Sequence, residues 1–494
     1  MNYSQFLSMI PEATLVLALI IVFCADFALH RSERKNFTLG VLTGALLLCQ
    51  LVPCFVAEPA EAFGGIYATT PIVNVMKVIL TAGTFIVVVM SQAWLESGSQ
   101  IVNGKSVNGK SVNGKYSGEY YMLLLSTLLG MYMMLSSGSF LMFFLGLEMA
   151  SVPMACLVAF DKHKKDSAEA AAKYILIATF SSGVMLFGIS FIYAATGSLY
   201  FDNVAEVITA KPLSIIGMVF FFSGLGFKIS LVPFHFWTAD TYQGAPTPVT
   251  GYLSVVSKGA ATLTLAIILV KVFGSMVAWW QPLLWIVIML TITVGNLMAI
   301  RQTELKRFMA FSSISQAGYI MLAVIGANPA ASQTALTFYV LVYVVANMSV
   351  FSVISAVEHR AGAGTQMSAY NGLYQTNPKL AFIMTIALFS LAGIPPFAGM
   401  FSKFFVFMAG VDGQDGMPFW PYFVVFIALI NTVVSLYYYL LIVKAMYIKK
   451  EDNPLPTFAH GRAINASLTI CTIGIVLFGV CSCIYQWIAN AAGM

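Results

Sequence analysis

Fourteen stretches of about twenty apolar residues follow one another along this chain, parted only by short polar or Gly/Pro breaks. Inside lipid, backbone N–H and C=O groups find no water, so a spanning segment has to satisfy them itself. With 59% hydrophobic and only 9% charged residues, against about 25% charged in ordinary soluble domains, the chain reads as one large all-α polytopic membrane domain. The expected spans are 12–30, 37–57, 71–94, 119–137, 139–160, 168–195, 213–238, 247–272, 277–300, 307–326, 332–357, 378–409, 419–448 and 464–490. The first apolar run, Leu15 to Leu29, lacks a basic flank and a small-residue cleavage site, so it reads as the first span and not as a signal peptide. The seven cysteines form no CxxC pair and read as small packing residues. With five histidines, of which His235 alone sits at membrane depth, bis-histidine haem and a metal cluster are not expected.

The connecting segments alternate in charge. Seventeen of the 25 Lys and Arg fall in HRSERK (30–35), the lysine repeat at 103–116, DKHKKD (161–166), 301–307, 358–379 and the segment after Tyr447. The intervening loops are acidic or neutral. The positive-inside rule places the basic set in the cytoplasm, and both termini then lie on the opposite side, as an even number of spans requires. The net charge of +5 needs no nucleic acid to explain it. Within 96–118, NGKSVNGKSVNGKY repeats a five-residue unit with Asn-Gly turn signals and reads as a flexible, solvated loop.

Five ionisable residues remain near mid-membrane: Glu148 in FFLGLEMASVPM, Lys228 and His235 in GLGFKISLVPFHFW, Lys258 in SVVSKGAATL and Lys403 in PPFAGMFSKFF. Each full charge near the bilayer centre costs about 2.5–3.5 kcal/mol on insertion scales. A single one can be structural glue; several on separate helices point to an ion pathway. Burial disfavours the charged form of a lysine and a nearby carboxylate favours it, so a lysine whose acidic partner approaches and retreats can load and release a proton. Glu148 is the only acid expected at depth for such a partnership, with Lys228 as its proposed partner. Lys228 and His235, seven apart, would share a face of an unbroken helix.

Pro233 should break that helix, and GIPPF (393–397) implies a second break close to Lys403. Broken helices at membrane depth line polar cavities, and paired ones in two halves of a chain mark repeat-built transporters. Their spacing of about 163 residues suggests two five-helix units, roughly 119–272 and 273–448, after a three-helix segment (1–118) and before a last helix (449–494). Lys173, Lys306, Arg307, Lys77 and Lys271 have snorkelling interfacial anchors as their default reading. Asp240 is open between a residue of the cytoplasmic mouth and a helix cap.

FKISLVPFHFWTADTYQGAPTPVTGYLSVVSKGAA (227–261) resembles the signature of the antiporter-like membrane subunits of respiratory complex I. GLE (146–148), EAAAKYILIATFSSG (169–183), ELKRFMAFSSISQAGY (304–319) and GIPPFAGMFSKF (393–404) match in order, covering about 119–448 strongly. The resemblance implies about fourteen helices, two inverted five-helix repeats, and proton translocation without redox chemistry in this chain. NADH, FMN, iron–sulfur clusters and quinone would belong to partner subunits in a bacterial inner membrane. It implies further that Glu148 and Lys228 form the family's glutamate–lysine pair, that Lys258 is its central lysine and Lys403 the one leading to the far side, and that His235 belongs to the broken-helix connection. Ala239 departs from the pattern, where proline is common, and the 103–116 repeat is foreign to it. The rival readings are a subunit of a multisubunit cation/proton antiporter, a structural scaffold that lost transport, and a stand-alone solute carrier.

Overall fold

The computed structural model describes residues 3–29, 32, 34–96, 99–102, 105–108, 112–162, 164–361, 364–413, 419–449, 455–458 and 461–494. The described residues of the expected spans lie largely on helix, and twelve helices among the described residues are long and apolar enough to cross a membrane. The chain is an all-α polytopic membrane protein. The helices Pro71–Glu96, Thr247–Lys271, Leu305–Ile325 and Pro329–Glu358 are buried over most of their length, whereas Gln5–Ala28, Lys165–Thr196, Phe419–Tyr447 and Arg462–Val480 turn much of their surface outward. Helix Pro329–Ala361 is the axis of the bundle and packs on Pro71–Glu96, Thr247–Tyr252, Pro378–Ala392, Ala398–Val411 and Arg462–Val480.

Lipid tails offer no hydrophobic drive for helix association, so contact distance decides packing. Helices Ser117–Leu135 and Phe140–Val158 accordingly meet through glycines: a Cβ on Gly130 would lie 2.4 Å from the Ala150 nitrogen, and one on Gly146 would lie 2.5 Å from that of Met134. Side chains cap some of the helix starts. Ser139 accepts from the Met142 N–H (3.3 Å) and Glu304 from the Arg307 N–H (2.5 Å).

Three helices are interrupted. Pro212–Ile229 ends on Ser230 in the left-handed region (φ 68°), and the chain re-enters helix at Phe236–Gly244 after a cis Val232–Pro233 bond. Pro378–Ala392 ends on left-handed Gly393 (φ 89°), and Ala398–Val411 follows a cis Pro395–Pro396 bond. These are the two breaks expected from proline, which removes a ladder donor and clashes with the preceding turn. The third was not expected: the last span divides at Cys481 into Arg462–Val480 and Ser482–Ala492, with no proline to announce it. A π-helical turn, Leu253–Ser257, sits inside the Thr247–Lys271 span and ends immediately before Lys258.

The 96–118 loop differs in part from its expectation. Ser99–Val102 pairs antiparallel with Lys105–Asn108, and Val112–Lys115 forms a helical turn. The remaining repeat residues 103, 104 and 109–111 lie outside the described residues.

Candidate functional site

Lys228, Lys258 and Lys403 come from three different helices and are all buried, 3%, 1% and 4% exposed. Lys228 lies in the last turn before the first break. Its Nζ donates to Ser151 Oγ (2.8 Å) and Tyr174 Oη (3.4 Å). Lys258 is the first α-helical residue after the π turn, which rotates its side chain relative to a regular helix. Its Nζ donates to Ser313 Oγ at 2.6 Å and lies 5.5 Å from the Tyr242 ring centroid. Lys403 reaches back across the second break. Its Nζ donates to the Ala392 carbonyl, at the end of the preceding half-helix (3.0 Å), and lies 4.9 Å from the Tyr319 ring.

Among the described residues no carboxylate forms an ion pair with any of the three. The expected Glu148–Lys228 contact is therefore not made. Glu148 is half-buried, within electrostatic reach of Lys228 and Tyr174. Ser151, three residues on and hence on the same helix face, takes the lysine. A second acid is buried as well: Glu12 is 3% exposed and pairs with Lys77. Glu12 lies in the first turn of its helix, where sequence position suggests the interface, while the turn of chain at 60–69 covers it.

His235 does not share a helix face with Lys228, because the helix ends at Ile229 between them. His235 is buried at the start of the second half-helix, its ring against Phe236 and its Nδ1 without a hydrogen-bond partner. The space between Lys228 and Lys258 is filled by aromatic rings: Tyr174 packs on Trp237 (5.3 Å), and Trp237 on Tyr242 (6.3 Å).

From Lys258 onward hydroxyls continue the line. Ser313 also meets Tyr242 Oη (3.3 Å). On the same helix Ser312 bonds Tyr439 Oη (2.5 Å), Gln316 Nε2 donates to Tyr439 Oη (3.2 Å), and Tyr339 donates to Gln316 Oε1. Gln316, Tyr339, Tyr343 and Lys403 then line a cavity of about 10 Å³, room for about one water, and the Tyr343 hydroxyl there has no protein partner. This relay was missed in the sequence, though a signal existed. Ser312, Ser313, Ser315, Gln316 and Tyr319 put five polar residues into eight positions of an apolar span, and that span is buried along its whole length.

The interfacial lysines divide. Lys271 meets Asp202 (2.7 Å) at the surface, in keeping with an anchor. Lys306 is buried and donates to the Ala245 carbonyl (2.7 Å), and Lys77 is wholly buried; neither is an anchor. Asp240 is not a helix cap: it receives Lys173 (2.8 Å) and Arg307 (2.6 Å) together, beside Glu169 and Gln243, at the rim of an open polar pocket of about 240 Å³. This cluster ties the second half-helix to helices Lys165–Thr196 and Leu305–Leu322. Because the three charges are about one-third or more exposed, the replacement Asp240→Asn should cost about 1 kcal/mol of stability. A thermal-melt difference from wild type that shrinks in high salt checks this.

Fold and site together define a polytopic membrane protein that carries protonatable side chains across its interior. The chain belongs to the NADH:quinone oxidoreductase/Mrp antiporter transmembrane family, whose pattern matches residues 137–444. It is 51% identical over 492 residues to the NADH-quinone oxidoreductase subunit N of Phocaeicola vulgatus, covering 100% of both chains. It is 48% identical to the subunit N of Azobacteroides pseudotrichonymphae, covering 99% of this chain and 98% of that one. Its fold matches a chain of respiratory complex I from Thermus thermophilus with a TM-score of 0.72 and 28% identity, over 95% of this chain and 97% of that one. It also matches a chain of the Mrp complex from a Dietzia species at 0.81 with 19% identity, over 100% and 97%, a likeness of fold alone.

Proposed function

We propose that this chain is the N subunit of a bacterial NADH–quinone oxidoreductase and moves protons across the membrane, driven by quinone reduction elsewhere in the complex. The observation that carries the reading is three buried lysines with no ion-paired carboxylate among the described residues, joined in part by hydroxyls. An ammonium held only by hydroxyls and a carbonyl can lose its proton without stranding a charged partner. A serine hydroxyl accepts from the ammonium and donates to the amine, and the amine still donates to a carbonyl. Both protonation states are thus accommodated at Lys258, and a proton loaded at Lys228 passes through Lys258 to Lys403. Lysine suits protons and not sodium, because an ammonium offers no acceptor to a metal cation.

Glu148, one turn from Ser151, acts on Lys228 through space and captures it when the helix shifts. His235 receives protons on the far side of the first break. The chain crosses the bacterial inner membrane fourteen times with both termini outside. It is built of two inverted five-helix repeats, 119–272 and 273–448; matched breaks in the fourth helix of each, both on a left-handed cap, support this. NADH, FMN, iron–sulfur clusters and quinone are bound by partner subunits, and this chain performs no redox chemistry.

The test is the number of protons moved per electron by the purified complex in proteoliposomes, with Lys228→Met and Glu148→Gln. Each should lower it, Lys228→Met more, because the glutamate acts only through the lysine. A wild-type ratio in both would sink the reading, and cation/proton exchange without NADH oxidation would assign the chain to an antiporter instead.

A further inference from the structure

Glu12 and Lys77 lie in the N-terminal three-helix segment, outside the proton line just described. Glu12 stands in the first turn of helix Ile10–Ala28 and Lys77 in the second turn of Pro71–Glu96. Lys77 Nζ is 2.7 Å from Glu12 Oε1, with side chains 0% and 4% exposed. Unlike Lys228, Lys258 and Lys403, this lysine has a carboxylate in direct contact. The Tyr67 hydroxyl donates to Glu12 Oε2 (3.1 Å) and accepts from Lys77 Nζ (3.4 Å), and Ser136 Oγ lies 3.4 Å from Glu12 Oε1. On the other side, the Tyr132 hydroxyl donates to the Lys77 carbonyl (3.3 Å) and bonds the Thr81 hydroxyl.

A buried ion pair by itself is weak evidence of function, since removing both charges is often neutral for stability. What sets this one apart is the helix that carries it. Lys77, Thr81, Thr84 and Ser91 fall at spacings of four, three and seven, hence on one face, and all are fully buried. Ser91 meets Tyr120 Oη (2.7 Å) near the other end of the helix. Thr127 beside this face meets Tyr252 Oη (2.9 Å), one and a half helical turns before Lys258. Hydroxyls recur along about 21 Å of this face, fourteen residues at 1.5 Å each, with Val88 between Thr84 and Ser91; each hydroxyl also donates to the carbonyl four residues back in its own helix. Tyr67 and Ser136 belong to the loops at the end the charge rule places outside.

We propose that Glu12 and Lys77 form an additional proton-transfer site at the outer end of this hydroxyl-bearing face, fed from the side of Tyr132; the proposal rests on the proton-translocating reading above. In the step, the Lys77 ammonium gives a proton to Glu12, leaving an amine and a carboxylic acid. The acid loses that proton to the outer face past Tyr67 and Ser136, and the amine regains one from the side of Tyr132, whose ring centroid lies 5.6 Å from Lys77 Nζ and whose hydroxyl bonds that of Thr81. The pair returns to its starting charge with one proton released.

The experiment measures protons moved per NADH oxidised by the whole complex in proteoliposomes, for the double variant Glu12→Met/Lys77→Met, for Tyr132→Phe and for Lys258→Met. Removing both charges together avoids a stranded ion. The double variant and Tyr132→Phe are each expected to lower the ratio, and Tyr132→Phe does so with the ion pair intact. If both keep the wild-type ratio while Lys258→Met lowers it, the pair is structural and this proposal alone is overturned. If Lys258→Met also keeps it, the proton-translocating reading fails first. Should the double variant not assemble, Tyr132→Phe decides: it removes one oxygen, and an unchanged ratio overturns the site.

Discussion

Replacing Lys258 with methionine should leave the bundle assembled and slow proton transfer through this chain about hundredfold, the low end of what a positioned proton-transfer group contributes. Lys258 is 1% exposed, and its ammonium touches Ser313 Oγ and lies over the Tyr242 ring. Methionine is unbranched and close in length, so the cavity cost is less than about 1.5 kcal/mol. Ser313 keeps Tyr242 Oη as a partner, so no buried hydroxyl is orphaned. Stability and function therefore separate at this position. Lys258→Arg sharpens the result: arginine keeps the positive charge but does not release its proton. If charge alone mattered, arginine would restore pumping; if protonation changes in the cycle, it fails like methionine. Proton movement per NADH oxidised, beside the melting temperature of the complex, distinguishes the two.

Gly399→Ala should be strongly destabilising, about 3 kcal/mol or more at the upper end of overpacking. A Cβ there would lie 1.6 Å from the Ser390 carbonyl oxygen and 2.5 Å from its carbon. Both are backbone atoms of helix Pro378–Ala392, so no rotamer relieves the clash and the half-helices have to part. The Gly399 N–H···Ser390 Oγ bond (3.2 Å) is lost, and Lys403, one turn on, moves away from the Ala392 carbonyl. Gly183→Ala is the control: a Cβ at Gly183 meets nothing within 4 Å, and alanine favours helix there. Thermal melts and the yield of assembled complex should fall for Gly399→Ala and hold for Gly183→Ala.

The site was legible in part, and the division has a physical cause. Lys228, Lys258 and Lys403 stood out because a charge inside an apolar run is costly wherever the run packs. The breaks at Pro233 and at 393–397 stood out because proline lacks a donor in any environment. Contacts across helices were not legible. Lys228 is 77 residues from Ser151 in sequence and Lys77 is 65 from Glu12, and the partners sit on helices whose own residues give no sign of facing one another. Serine and tyrosine cost little in an apolar run, so the relay along Ser312, Ser313 and Gln316 carried a weaker signal than any lysine.

The sequence by itself determined the membrane-spanning class, the position of two broken helices and the residues whose charge demands an explanation, because these follow from solvation and backbone chemistry residue by residue. Only the tertiary structure decided which groups answer those charges. It placed Ser151, Ser313 and the Ala392 carbonyl, not carboxylates, at the three lysines, and gave Lys77 the carboxylate that Lys228 lacks. The reason is that a buried group's partner is set by how helices pack against each other, and that depends on close approaches spread over the whole chain.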